Sequence, residues 1–97
     1  MSSSDTIYAL ASGRLPAGIA IVRISGELST KACLALCGCI PAERVATYVA
    51  VHDEDGGVLD RALALYLPKP ATFTGEDVIE LHLHGSRAVV AAVYARL

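Results

Sequence analysis

The stretch "FTGEDVIELHLHG", residues 73–85, decides the fold, because within the segment from Val78 to His84 apolar and polar residues alternate from Ile79 onward. Its apolar positions are Ile79, Leu81 and Leu83. Its polar positions are Glu80, His82 and His84. Since alternate residues of a β-strand point to opposite faces, the pattern predicts a strand with one buried face. The other face then carries a carboxylate and two imidazoles.

Four more segments are rich in β-branched and apolar residues and predict strands. They are residues 6–11, 19–25, 47–52 and 58–67. The second, "IAIVRIS", is apolar almost throughout, as is typical of a strand covered on both faces, and Arg23 interrupts it. The last two flank the acidic turn "DEDGG" and predict a hairpin over 47–67.

Two segments predict helices. Ser29 is placed to cap a helix that runs to Cys37, and Gly38 follows where a terminating glycine belongs. The second helix covers residues 86–97 and carries apolar side chains on one side: Val89, Val90, Val93 and Leu97. The sequence therefore predicts one α+β domain over residues 1–97, with a mixed β-sheet and about two main helices.

The composition limits the possible functions. The chain has 97 residues, of which 54% are apolar and 19% charged, against about 25% charged in soluble domains. So few charges indicate a face that is buried on a partner or on further parts of the protein. The net charge is −2 and no basic patch is visible, so we expect no electrostatic binding of nucleic acid by this segment.

The sequence carries no targeting signal that we recognise. Its start, "MSSSDT", lacks the basic and apolar regions of a signal peptide, and no apolar run approaches about 18 residues. The odd number of cysteines fits a reduced protein better than a disulfide framework. We therefore expect a cytoplasmic protein. Because the pattern of the second helix is unbroken at Leu97, we also expect the chain to be incomplete at its C-terminal end.

Two weaker motifs favour ordinary structure. "GRLPAG", residues 13–18, has the glycine spacing of a phosphate-binding loop, but Ile19 and Ala20 stand where lysine and a hydroxyl residue are needed. We therefore expect a loop and no nucleotide hydrolysis. Cys33 and Cys37 are four residues apart, with Cys39 nearby, but no second pair completes a zinc site. They are interpreted as core residues.

The polar face of the 78–84 strand has three interpretations. A metal site is disfavoured, because Cβ atoms two residues apart lie about 7 Å from each other, too far for three side chains to reach one ion easily. The second interpretation is an ordinary polar face that is exposed to solvent on a half-buried strand. The third is a ligand cleft, in which Glu80 accepts the paired N–H donors of an aminopyrimidine. Arg23 is either the partner of Glu80 in an internal ion pair or a clamp for an anion or carbonyl.

Two long stretches resemble a known family. "DTIYALASGRLPAGIAIVRISG", residues 5–26, and "DGGVLDRALALYLPKPATFTGEDVIELHLHG", residues 55–85, resemble the N-terminal domain of the MnmE (TrmE) family of tRNA-modification GTPases. The resemblance covers essentially the whole chain. Its most specific parts are the Asp-Thr-Ile opening, "RISG" and "FTGEDVIEL" with the "HG" that follows.

The resemblance implies a fold similar to the folate-binding domain of aminomethyltransferases, and a homodimer that binds 5-formyltetrahydrofolate. The resemblance also implies that the folate supplies one carbon for C5 of the wobble uridine of tRNA, and that the partner protein MnmG takes part in this modification. GTP, Mg²⁺ and K⁺ belong to the parent protein's G domain. That G domain and the helical domain are absent here, so this chain is not expected to be catalytic alone.

The resemblance also implies site residues. The family's folate contacts fall on Arg23 and Glu80, with His84 and Gly85 as further candidates, and a third, basic contact falls beyond Leu97. It gives no role for His82, and no metal ligand or catalytic residue. Ser86 stands where a second glycine is common. Two alternatives stay open: a structural dimerisation module with an internal Arg23–Glu80 ion pair, and a metal-dependent enzyme that uses Glu80, His82 and His84.

Overall fold

The computed structural model describes residues 6–10, 18–69 and 75–97. Its elements, in chain order, are β1 (Ile7–Leu10), β2 (Ile19–Ser25), α1 (Ser29–Cys37), β3 (Thr47–His52), β4 (Val58–Leu67), β5 (Val78–His84) and α2 (Arg87–Arg96). The strands form one sheet in the order β1-β2-β5-β4-β3. The alternating strand β5 is thus the central one. The loop predicted at residues 13–18 lies outside the described residues, except for Gly18.

The predicted α+β class with two main helices is confirmed, and so is the hairpin over 47–67. All pairings between the five strands are antiparallel, and a parallel bridge joins Glu43 to Tyr66 outside the strand ladder. The ladder between β3 and β4 shifts register between Val51 and His52.

Both helices pack on one face of the sheet, where the core lies. The apolar half of β5 and the matching residues of β2 are at most 1% exposed: Val22, Ile24, Ile79, Leu81 and Leu83. From the helices, the core receives Cys33, Leu36, Cys37 and Val93. The burial of each large apolar side chain contributes about 1.5–3 kcal/mol to folding. The predicted apolar side of α2 is therefore part of this core, with Val90 buried beside it.

The opposite face of the sheet, called here the open face, carries the polar half of β5. The register places Arg23 of β2 and Leu65 of β4 on either side of Glu80, and Ile21 and Leu63 on either side of His82. Several apolar side chains on this face are exposed, among them Ile7, Ile19, Tyr48 and Leu63. The polar cluster therefore sits in the middle of a largely apolar surface.

The prediction that Ser29 caps α1 is wrong. Leu28 occupies the cap position without a side-chain hydrogen bond, and Ser29 is the first helical residue. The Ser29 hydroxyl is fully buried and donates to the carbonyl oxygen of Asp77 at 3.2 Å, so it joins α1 to the start of β5 instead of capping the helix. Gly38 ends α1 as predicted, with φ at 73°.

The second helix begins after Ser86, whose side-chain oxygen accepts a hydrogen bond from the backbone N–H of Val89 at 3.1 Å. This is the capping arrangement that was expected at Ser29. Neither of the two helices in the described ranges is long and apolar enough to cross a membrane.

Candidate functional site

Arg23 and Glu80 form an ion pair on the open face. Their backbones are opposite each other in the β2–β5 ladder. The Nε of Arg23 donates to Oε2 of Glu80 at 2.9 Å, and its Nη2 donates to the same oxygen at 2.7 Å. The side chain of Glu80 is 13% exposed and that of Arg23 is 36% exposed. The two residues that the sequence singled out on different strands therefore touch each other.

His82 is the third member of this cluster. Its Nε2 lies 3.2 Å from Oε1 of Glu80. Because a carboxylate oxygen can only accept a hydrogen bond, Nε2 carries the hydrogen and donates it. The sequence analysis placed His82 on this face but gave it no part in the folate site. Its spacing of two residues from Glu80 was the signal that could have revealed the contact.

Most of the hydrogen-bond acceptor positions of the Glu80 carboxylate are occupied. A carboxylate offers about four acceptor positions, two on each oxygen. Arg23 uses two of them on Oε2, and His82 uses one on Oε1. One acceptor position is left, on Oε1. A ligand that donates a single N–H can therefore bind Glu80 directly, whereas a ligand that donates two must take one position from Arg23 or His82.

The environment keeps Glu80 ionised. Burial by itself raises the pKa of the Glu80 carboxyl, but the hydrogen bonds from Arg23 and His82, together with their charges, outweigh it. The pKa therefore lies below its usual value. The site presents a negatively charged acceptor at neutral pH.

His84 belongs to a separate pair. Its Nδ1 lies 2.6 Å from Oδ1 of Asp60, and its backbone N–H donates to Oδ2 of Asp60 at 2.8 Å. Burial raises the pKa of the Asp60 carboxyl, but the hydrogen bonds from His84 and from the backbone N–H of Arg61 outweigh it, so the pKa lies below its usual value. The His84 side chain is 74% exposed. The sequence missed Asp60, because its proximity to His84 depends on the register of the sheet.

The structure does not favour the metal-dependent alternative. Across residues 6–10, 18–69 and 75–97, no three histidine, cysteine or acidic side chains lie close enough to hold an ion together. The physical reason on this face is that His84 turns to Asp60, while His82 turns to Glu80.

Gly85 is buried and directly follows the last residue of β5. Its backbone N–H points to the carbonyl oxygen of Gly18 at 3.4 Å. The structure thus places Gly85 against the start of β2. Its role as a further folate contact stays a prediction.

Two of the hollows lined by the described residues adjoin the sheet. The smaller, of about 250 Å³, is on the open face, and its walls include His82, His84, Tyr48, Arg61 and Ile19. The larger, of about 390 Å³, lies between α1, the end of α2 and β1, and its walls include Tyr8, Lys31 and Arg96. Neither is lined by Arg23 or Glu80. The candidate site is the charged, hydrogen-bonded cluster of Arg23, Glu80 and His82, because the volume of a hollow does not show which ligand it could bind. The cluster adjoins the smaller hollow through His82.

The cysteines take no part in this site. Cys33 and Cys37 are buried in the core and Cys39 is exposed, and all three are free. A hydrogen bond with Cys33, together with burial, raises the pKa of the Cys37 thiol far above its usual value, so this thiol stays protonated. Cys33 and Cys37 behave as the small apolar residues that the sequence predicted.

The fold and the cluster define a small α+β domain that presents an ionised, part-buried carboxylate on an open sheet face. Its sequence matches the sequence model of the family "GTP-binding protein TrmE N-terminus" over residues 6–97. The chain belongs to this family.

Close relatives carry the name tRNA modification GTPase MnmE. The chain is 53% identical over 97 residues to that of Rhizobium meliloti, 55% identical over 96 residues to that of Azorhizobium caulinodans, and 58% identical over 99 residues to that of Rhizorhabdus wittichii. The alignments cover 98–100% of this chain but only 22% of each relative. The chain thus spans about a fifth of the length of the relatives that it matches.

Proposed function

We propose that this domain binds a one-carbon folate, 5-formyltetrahydrofolate, with Glu80 as the acceptor of the pterin's N–H donors and Arg23 as its neighbour in the site. The observation that carries the proposal is the Arg23–Glu80–His82 cluster on the open face. An ionised carboxylate that is 13% exposed, at the surface of a sheet, is a strong acceptor for a ligand with N–H groups. His84 and Gly85 are weaker candidates at the neighbouring end of β5.

Binding of a pterin through two N–H donors requires a rearrangement within the cluster. We propose that one of the two N–H groups of Arg23, which hold both positions on Oε2, leaves that oxygen when the ligand arrives, while His82 keeps its contact with Oε1. The released N–H can then donate to a carbonyl oxygen of the ligand. This exchange gives Arg23 the role of a clamp without breaking the ion pair.

The wider role that we propose follows the relatives' name. The domain serves as the folate-binding and homodimerisation module of a cytoplasmic GTPase that modifies C5 of the wobble uridine of tRNA together with MnmG. GTP, Mg²⁺ and K⁺ act in the parent protein's G domain. The 97-residue chain has a net charge of −2, so tRNA contacts are assigned to the whole complex and not to this domain.

A second function is favoured by a specific observation. Arg23 already makes two hydrogen bonds to Glu80, which is what an internal ion pair in a purely structural dimerisation module needs. In that case Arg23 stabilises the fold, and no ligand is involved. The two functions differ in what the loss of Arg23 changes.

The experiment that separates them combines titration with 5-formyltetrahydrofolate and thermal melts for the wild type and Arg23→Ala. A clamp predicts a loss of affinity of roughly ten- to a hundredfold, since a hydrogen bond to a charged partner is lost. An internal pair predicts a lower melting temperature, because Glu80 loses its partner. Glu54→Gln, in the exposed turn between β3 and β4, is the control and should change neither. A wild type that does not bind the folate contradicts the proposed function.

A further inference from the structure

We propose that the hollow of about 250 Å³ on the open face receives the aminobenzoyl ring of the folate, and that Arg61 in its wall binds a carboxylate of the folate's glutamate. This role rests on the proposed folate site, because it extends the ligand from the cluster around Glu80 to the neighbouring end of the sheet. Arg61 then determines specificity, since it distinguishes a folate from a pterin that has no tail.

The hollow directly follows the charged cluster along the sheet. His82, two residues beyond Glu80 on β5, pairs with Leu63 of β4, and both residues line the hollow. Two residues further on each strand are His84 and Arg61, which line it too. At about 3.3 Å per residue, Glu80 and this end of β5 are roughly 13 Å apart. A folate has a pterin, a ring and a glutamate in a row, so a ligand with its pterin at Glu80 can reach the hollow with its ring and the far wall with its glutamate.

The size and the walls of the hollow fit one aromatic ring. Pockets for drug-sized ligands enclose about 300–1,000 Å³, so a hollow of about 250 Å³ takes part of a folate and not the whole molecule. Its walls include Ile19 and Leu63, which are large, exposed apolar side chains. A ring placed against them removes apolar surface from water, which favours binding.

The guanidinium of Arg61 is placed to bind an anion. The residue is exposed, and within residues 6–10, 18–69 and 75–97 its guanidinium has no hydrogen bond or ion pair. The adjacent carboxylate, that of Asp60, accepts instead from Nδ1–H and the backbone N–H of His84 and from the backbone N–H of Arg61. An arginine offers two parallel N–H donors that match a carboxylate. A carboxylate of the glutamate is therefore the group of a folate that suits Arg61.

The test compares two ligands in titrations of the wild type, Arg61→Gln and Arg61→Glu. One is 5-formyltetrahydrofolate, and the other is 5-formyl-6-methyltetrahydropterin, which has the same head but neither the ring nor the glutamate. We expect the wild type to bind the folate more tightly than the pterin. We expect Arg61→Gln to bind the folate roughly two- to fivefold more weakly, as is typical for the loss of an exposed ion pair, and Arg61→Glu more weakly still. Both variants should keep the wild-type affinity for the pterin.

Lys31→Glu is the matched control, because it makes the same change of charge as Arg61→Glu at an exposed residue of α1, on the other side of the sheet. It should leave both affinities unchanged. If the wild type binds the folate and Arg61→Glu binds it equally well, or if Lys31→Glu loses as much affinity as Arg61→Glu, the role of Arg61 is overturned and the proposed function stands. Equal binding of the folate and the pterin by the wild type likewise overturns the role of the hollow alone. A wild type that binds neither ligand overturns the proposed function as well.

Discussion

Glu80 is a charged residue in the middle of a sheet, and its neighbours determine what it can do. Arg23 and His82 lower the pKa of its carboxyl against the opposing effect of burial. They also occupy three of its roughly four acceptor positions. The same contacts thus keep the carboxylate ionised and limit which ligand can reach it. The contacts of Glu80 are therefore compatible with both functions considered above, an internal ion pair and a ligand-binding site.

The lowered pKa of Glu80 predicts a dependence of stability on pH. Because the folded carboxyl has the lower pKa, the folded state binds fewer protons than the unfolded state in moderately acidic solution, and stability rises with pH there. This contribution is present above the ordinary pKa of 4.5 and is lost as the pH falls through the folded value.

Urea unfolding at pH 7 and pH 3 measures this effect. We expect Glu80→Gln to show a smaller loss of unfolding free energy between the two pH values than the wild type. Asp60, whose pKa is also below its usual value, keeps its own contribution in the variant, so some loss remains. Equal losses in both proteins would contradict the role assigned to the ion pair.

At the scale of elements, local sequence patterns predicted where the strands lie better than they predicted which residues contact each other in the folded domain. The alternation in β5 and the apolar residues of β2 predicted both strands with their observed bounds, because burial on one or two faces leaves a direct trace in the sequence. Ser29 was mistaken for a cap, since the pattern gave no sign that its hydroxyl is buried against Asp77. The contacts of Glu80 with Arg23 and of His84 with Asp60 depend on register across distant segments, which no local pattern specifies.

The end of α1 offers a test of one element. Gly38 has φ at 73°, and a Cβ atom added there would meet nothing within 4 Å. Gly38→Ala should therefore destabilise the domain by about 1–2 kcal/mol through backbone strain alone.

The matched control is Gly18→Ala. A Cβ atom at Gly18 likewise meets nothing within 4 Å, and its φ lies outside the left-handed region. This variant should keep or slightly raise the unfolding free energy. Equal effects of the two substitutions on the unfolding free energy, measured by urea unfolding, would show that the left-handed backbone at residue 38 does not require glycine.

At the scale of the whole molecule, the helices leave one sheet face uncovered among the described residues. The sequence analysis inferred from the low charge a face that is buried on a partner or on further parts of the protein, and it predicted an apolar side on the last helix. The structure places that side of α2 in the core, with Val93 fully buried. The exposed apolar side chains of the open face are left to carry the proposed dimer, and Tyr48 is 65% exposed there.

The proposed dimer predicts that light scattering gives twice the mass of the 10.1 kDa chain. Tyr48→Glu, which puts a charge on the open face, should shift the protein toward the monomer. Leu34→Glu, on the outer side of α1 at 51% exposure, is the control and should leave the dimer intact. A wild type that stays monomeric at high concentration, or a dimer that only Leu34→Glu disrupts, would contradict this assignment.

The central claim is that the carboxylate of Glu80 accepts hydrogen bonds from a folate. Titration of 5-formyltetrahydrofolate into the wild type and Glu80→Gln tests it most directly, because the substitution keeps the shape of the side chain and turns one acceptor into a donor. We expect the variant to stay folded and to lose about 1.5–3 kcal/mol of binding free energy, or roughly ten- to a hundredfold in affinity. Equal affinity of the two proteins for the folate would contradict the claim.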